Sequence, residues 1–201
     1  DLPLILFGEG LFTGIVAFAL TAVPLFILTG DVLVRSGLSG KFLDVADALT
    51  QFAKGGFGSA TVLVCGMFAA ISGSDAAGAA AVGRMTIGRL VESGYPRPYA
   101  CALVAAGACT GILIPPSIAY SIIGLVLGIS ASTLFLAALI PGLAILFSIL
   151  TTNLVVNRIY GYEGGGNLSA RAYFLNLGRS LGSGWYAFIV PGIIFYGIFS
   201  G

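Results

Sequence analysis

The chain alternates long apolar runs with short polar ones, at lengths that suit a bilayer. A hydrocarbon core of about 30 Å calls for roughly 20 apolar residues per spanning helix. Gly10 to Gly30 is 21 residues without a charge, followed at once by Asp31 and Arg35, which predicts a transmembrane helix over 10–34. Over 40–54, Phe42, Val45, Leu49 and Phe52 recur at helical spacing while Lys41, Asp44, Gln51 and Lys54 fall elsewhere. That pattern predicts an interfacial helix, lying in the headgroup layer or packed on protein. Residues 55–83 carry one charge, Asp75. Pro98 to Asn157 then gives 60 uncharged residues, enough for two spans: one over 98–128 interrupted by Pro115-Pro116, and one over 132–157. Gly128 to Ser132 is the predicted turn between them. A polar connection over 158–179 follows, and a last span over 180–201 opens with Trp185-Tyr186, suited to the headgroup level.

Residues 55–83 can be read as one long span or as a re-entrant hairpin of two half-length helices turning near Ile71–Asp75. Charge decides between them. If 55–83 crosses fully, Arg35, Lys41 and Lys54 lie on one side and Arg84, Arg89 and Arg97 on the other, with no bias. If it enters and returns, 35–54, 84–97 and 158–179 share one side, which collects all nine Lys and Arg. The opposite side gets none. The hairpin reading follows, opening from the cytoplasmic side.

Composition narrows the function. The chain is 58% apolar and 8% charged, with mean hydropathy +1.04, where soluble domains hold about 25% charged residues. The fold class is an all-α integral membrane protein. Nine Lys+Arg against eight Asp+Glu, with no basic block, argue against nucleic acid. The absence of His removes the commonest zinc ligand and the Ser-His-Asp triad. Cys65, Cys101 and Cys109 lie in apolar runs and read as small hydrophobes. Opening at Asp1 and stopping at Gly201 inside an apolar run, with no visible signal peptide, the chain is expected to be part of a larger protein.

Two features put polar or non-helical backbone at membrane depth: Ser72-Gly73-Ser74-Asp75 and Thr110-Gly111-Ile112-Leu113-Ile114-Pro115-Pro116-Ser117. The prolines remove two backbone donors and orphan carbonyls near 111–113. Such backbone is tolerated in a bilayer only where it is buried in protein or lines a wet cavity, as in the discontinuous helices of transporters. Oxygens of Ser72, Ser74, Thr110 and nearby carbonyls make a plausible Na⁺ cage. A proline kink beside a loop, with no ligand, is the plain alternative. Asp31 and Asp75 raise an intramembrane aspartyl protease as a rival class, but Asp31 stands four residues before Arg35, where an ion pair explains it.

Three stretches resemble one family, in its order and spacing: Ala22-Val23-Pro24-Leu25-Phe26-Ile27-Leu28-Thr29-Gly30, Phe68-Ala69-Ala70-Ile71-Ser72-Gly73-Ser74 and Gly111-Ile112-Leu113-Ile114-Pro115-Pro116-Ser117. They resemble the large membrane (permease) subunit of tripartite ATP-independent periplasmic (TRAP) transporters, in its N-terminal half. The resemblance implies one repeat of an inverted-repeat elevator transporter in the bacterial inner membrane. It implies Na⁺ symport of an organic acid such as a C4-dicarboxylate or sialic acid, with no organic cofactor. A periplasmic substrate-binding protein and a small membrane subunit would be its partners. Carried over, Ser72, Gly73 and Ser74 form the hairpin tip. Thr110, Gly111 and the backbone through Ile114 form the facing unwound segment, with Na⁺ between them and Asp75 and Ser117 nearby. Asp75 departs from the family pattern, which has a small or neutral residue there. Another Na⁺- or H⁺-coupled anion carrier with re-entrant hairpins is the alternative, and a channel a third.

Overall fold

The computed structural model describes residues 8–10, 12, 18–164 and 170–200, and these contain helices and no strands. Helix α1 (Phe18–Arg35) ends in the Asp31–Arg35 ion pair, 2.7 Å, that the i,i+4 spacing predicts. Gly37, in the left-handed region at φ 74°, turns the chain through 74° into α2 (Leu38–Thr50). The buried face of α2 carries Phe42, Leu43, Val45 and Ala46, while Asp44 and Leu49 are exposed.

Helix α3 (Gly56–Ser72) is the centre of the molecule. It is apolar on every side, and a helix of that kind must be buried all round; among its residues only Leu63 and Met67 are partly exposed. Helix α4 (Asp75–Glu92) returns along it. The Arg89 guanidinium near the end of α4 lies 4.1 Å over the ring of Phe57, near the start of α3, and 3.6 Å from Asp47 of α2. Helices α3 and α4 are therefore an antiparallel hairpin whose open end meets α2. The second arm runs nine residues beyond the apolar run that ends at Gly83, and its last turns pack on α2 and on Phe57.

Helix α5 (Arg97–Cys109) packs on both arms of the hairpin. Its approach to α3 needs glycine: a Cβ at Gly107 would lie 3.0 Å from Cys65 Cβ and 3.2 Å from Val62 Cα. Small residues at such crossings let backbones close up where lipid supplies no hydrophobic drive. After α5 comes a 3₁₀ turn, Thr110–Ile112, then non-helical backbone through Ser117, then α6 (Ile118–Leu127).

Helix α7 (Ala131–Tyr160) is 30 residues, about 45 Å at 1.5 Å per residue. It is the one described helix long and apolar enough to cross a membrane alone; 22% of its most apolar stretch is buried, unlike a soluble core helix. Helix α8 (Ala170–Gly184) occupies the second half of the segment read as a polar connection and continues past residue 180; it packs on α2. A 3₁₀ turn over Trp185–Phe188 then leads to α9 (Ile189–Ser200), so 180–201 is interrupted instead of one continuous helix.

Candidate functional site

The turn between α3 and α4 is two residues long. Gly73 has φ 65°, and a Cβ there would also meet Ile118 Cγ1 at 2.9 Å, so both conformation and space require glycine. Ser74 is the extended N-cap of α4 and its hydroxyl accepts from the Ala77 N–H at 3.4 Å. The buried Ser72 hydroxyl has the Ala69 and Ser74 carbonyls within reach, at 3.3 and 3.2 Å, and accepts from the Ser74 N–H. On its outer side Ser72 lies against Gly30 of α1, where a Cβ would approach Ser72 Cβ to 2.7 Å.

Asp75 opens α4, where the helix dipole favours a carboxylate. Its Oδ1 accepts a hydrogen bond from the Ile112 N–H, 3.1 Å, which ties the tip to the interrupted helix. The two aspartates of the rival protease reading are thus engaged separately, Asp31 with Arg35 and Asp75 with Ile112. Arg84 is likewise turned onto its own helix, its Nε donating to the Ala80 carbonyl.

The interrupted segment is pressed onto α3. A Cβ at Gly111 would overlap Ala69 Cβ and sit 2.7 Å from the Ala69 carbonyl carbon. The Thr110 carbonyl accepts from both Leu113 and Ile114 N–H, at 3.1 and 3.0 Å. Positions 115 and 116, which in a helix would donate to the carbonyls of Gly111 and Ile112, are prolines and have no N–H. Ser117 is fully buried and its hydroxyl has no partner, the one such side-chain atom among the described residues. A buried polar group without a partner costs about 1–3 kcal/mol.

The sequence-predicted residues do not all converge. Of the tip residues, Asp75 meets Ile112 and Gly73 lies against Ile118, next to Ser117, while Ser72 and Ser74 bond to Ala69, to each other and to Ala77. The Thr110 hydroxyl instead donates to the Gly107 carbonyl, 2.7 Å, and lies against Gly66. Gly66 is six residues before Ser72, roughly 9 Å along the helix. The backbone of Gly111 and Ile114 lines the same break without a described contact to the tip. No three His, Cys, Asp or Glu side chains come together among the described residues; the polar oxygens of the tip residues are hydroxyls, carbonyls and one carboxylate, a type of ligand that suits hard cations.

At the opposite end of the hairpin is a network that the sequence did not announce. Glu163, in the chain after α7, accepts from the N–H groups of Phe57 and Gly58 at 2.8 and 3.4 Å, where the first N–H groups of α3 are otherwise orphaned. Tyr95 donates its hydroxyl to the same carboxylate, 3.0 Å. Burial, then the Glu163 charge, push the Tyr95 phenol well above its usual range, so it stays a donor. Asn157 grips the Glu163 backbone in both directions, at 2.8 and 2.9 Å. Asn153 reaches the Gly55 carbonyl and the Ser59 hydroxyl and accepts from Tyr99. The available signal was the pair Asn153 and Asn157, i and i+4 in a 60-residue uncharged run and so on one helix face.

Residues 1–201 match the family model described as "Tripartite ATP-independent periplasmic transporter, DctM component". The chain belongs to this family. Among curated TRAP relatives it is 33% identical to the isethionate TRAP transporter permease protein DctMQ of Oleidesulfovibrio alaskensis, over 100% of this chain and 31% of that protein. It is 33% identical to the C4-dicarboxylate TRAP transporter large permease protein DctM of Pseudomonas aeruginosa, over 92% of this chain and 42% of the relative. For the sialic acid TRAP transporter large permease protein SiaM of Vibrio cholerae the figures are 32%, 94% and 43%. The chain thus spans under half the length of these TRAP permeases, and aligns with transporter subunits, not enzymes.

Proposed function

We propose that the protein carrying this chain is the large permease subunit of a TRAP transporter of the bacterial inner membrane, importing an organic anion by Na⁺ symport. A periplasmic binding protein would deliver the anion and a small membrane subunit would flank the permease. The substrates named for the relatives (isethionate, C4-dicarboxylates and sialic acid) are all anions, which supports the substrate class. In this reading α3 and α4 form the re-entrant hairpin. Support comes from the basic segments: Arg89 meets Asp47, and Tyr95 meets Glu163, so 35–54, 84–97 and the start of 158–179 gather at one end of the bundle. Arg84 marks where the second arm meets the bilayer surface. From Asp75 to Gly83 is nine residues, about 14 Å, which sets the tip near the middle of a 30 Å core.

The observation that carries the site is the buried, unpartnered hydroxyl of Ser117, the residue before Ile118, which lies against Gly73 of the tip. Ser72, Ser74, Asp75 and Ser117, with the carbonyls freed by the prolines, would hold the Na⁺. When bound there, Na⁺ would supply positive charge favouring an organic anion nearby. The protein's own residues hold the oxygens in place: Gly73 shapes the turn and the Asp75–Ile112 bond fixes the two halves in register.

The test is Ser117→Ala in the full-length transporter, reconstituted with its partners. If the hydroxyl ligates Na⁺, the concentration giving half-maximal uptake rises at least 3-fold. Thermal stability without Na⁺ holds or improves, because an unsatisfied buried hydroxyl has been removed. Unchanged Na⁺ dependence in a stable Ser117→Ala protein would overturn the assignment.

A further inference from the structure

A cleft lies at the basic end of the bundle. Its volume is about 550 Å³, and Phe52, Lys54, Thr151, Leu154, Val155 and Arg158 line it. Phe52 and Lys54 come from the turn between α2 and α3; the other four form one stripe of α7, on successive turns of the helix. Arg35, Lys41 and Arg89 each pair with a carboxylate. Lys54 and Arg158 are exposed and neither has an ion-pair partner among the described residues. The cleft floor is apolar, with Phe52 66% and Val155 50% exposed. It continues up the same side of α7 through exposed Phe147, one turn before Thr151.

We infer that this cleft binds one anionic phospholipid, its phosphate held between Lys54 and Arg158 and its acyl chain lying along α7 over Val155 and Phe147. The inference rests on the membrane reading above, which puts this end of the bundle at the bilayer surface. Two uncompensated cations over an apolar floor complement a head that is negative and a tail that is not. From Arg158 to Phe147 is eleven residues, about 17 Å, roughly one leaflet of a 30 Å core. A soluble anion would use the cations and leave the apolar floor bare. Specificity follows from charge: each Lys or Arg near an anionic lipid contributes about 1 kcal/mol, or about 5-fold in affinity.

Native mass spectrometry of the full-length protein, titrated with phosphatidylglycerol or with phosphatidylcholine of the same chains, tests this. Phosphatidylglycerol should be retained in preference to phosphatidylcholine. Lys54→Gln or Arg158→Gln should each weaken its retention about 5-fold, and the pair about 25-fold. Lys41→Gln, at a cation already paired, should leave it unchanged, and millimolar inorganic phosphate should not displace the lipid. Equal retention of the two lipids, or full retention in the double variant, overturns the inference. So does displacement by phosphate, which would make this a small-anion site. Loss of a co-purified membrane subunit from the double variant, with lipid retention intact, would make it a protein dock and also overturn it. Release of the protein by alkaline carbonate would instead strike the membrane reading itself, and the Na⁺ response to Ser117→Ala reports on the tip independently.

Discussion

The carboxylate of Asp75 and the backbone N–H of Ile112, 37 residues apart in the chain, are joined by a 3.1 Å hydrogen bond. A helix break frees donors as well as carbonyls, and here the first residue of the returning arm takes one of them. A carboxylate at membrane depth is offset by a cation, an arginine or a proton. Arg84 and Arg89 are spent on Ala80, Phe57 and Asp47. A peptide N–H is the partner present, and it leaves Oδ2 for a cation.

Asp75→Ser should therefore act on both halves of the junction. Losing a hydrogen bond to a charged group costs about 1.5–3 kcal/mol, read as a lower unfolding temperature in detergent. If the second oxygen faces Na⁺, half-maximal uptake will need more Na⁺, while apparent substrate affinity at saturating Na⁺ holds or improves. A shift of the pH optimum with Na⁺ dependence intact would identify Asp75 as a proton site and sink the cation role.

Gly111→Ala should be among the most damaging single substitutions in the chain. The new methyl would overlap Ala69, part of a helix packed on all sides, so the interrupted segment must lift away. Overpacking of this kind costs about 1–3 kcal/mol or more. Gly88→Ala, where a Cβ would meet nothing within 4 Å, should instead stabilise by about 0.5–1 kcal/mol through helix propensity. Comparing the two unfolding midpoints decides; equal effects would mean that the 3₁₀ turn is not pinned to α3.

Much of the arrangement was legible because membrane burial writes strong signals. Run lengths gave α7, the predicted 98–128 span is non-helical from Leu113 to Ser117 where the proline pair stands, and the Ser-Gly-Ser stretch falls where Gly73 bends the chain. The amphipathic spacing of Phe42, Val45 and Leu49 marked α2, although Leu49 is exposed and Ser39 buried. What could not be read was long-range direction. Nothing local says that the Thr110 hydroxyl turns toward Gly66 and away from the tip, since one helical turn of phase decides it. Glu163 is the one acid of the 158–179 segment, and its role depends on α7 returning it to the start of α3.

Cysteines at Ser36, Ser93 and Gly164, all exposed, test the fold's orientation in a variant lacking Cys65, Cys101 and Cys109. All three should react with a membrane-impermeant maleimide from the cytoplasmic side alone. Labelling of Ser93→Cys from the periplasm would mean that α3 and α4 do not return to the face they left.

Stability should fall as pH rises across the range where Asp47 ionises. Burial pushes its carboxyl above the usual 3.8, with the Arg89 charge opposing. The folded chain then holds the proton more tightly than the unfolded one. The contribution is fully present below 3.8 and is lost as pH rises through the folded value. In Asp47→Asn this component of the melting profile should vanish. A wild-type component that runs the other way and disappears in the variant would show that Arg89 outweighs burial.

Glu163→Gln isolates the base of the hairpin. The amide keeps one acceptor oxygen but turns an NH₂ toward a group of donors: the Phe57 and Gly58 N–H and the Tyr95 hydroxyl. At least one of these is left unpaired, and the charge that faced the positive end of α3 is gone. The loss should be about 1.5–3 kcal/mol from the charge-assisted bonds alone. Tyr95→Phe removes one donor and should hurt less in the Glu163→Gln background than in the wild type, because its partner there is already weakened. A double-mutant cycle on unfolding free energies should give a coupling of about 0.5–3 kcal/mol, as for residues in one hydrogen-bond network. Additive losses would mean that Tyr95 and Glu163 are packed together without being bonded.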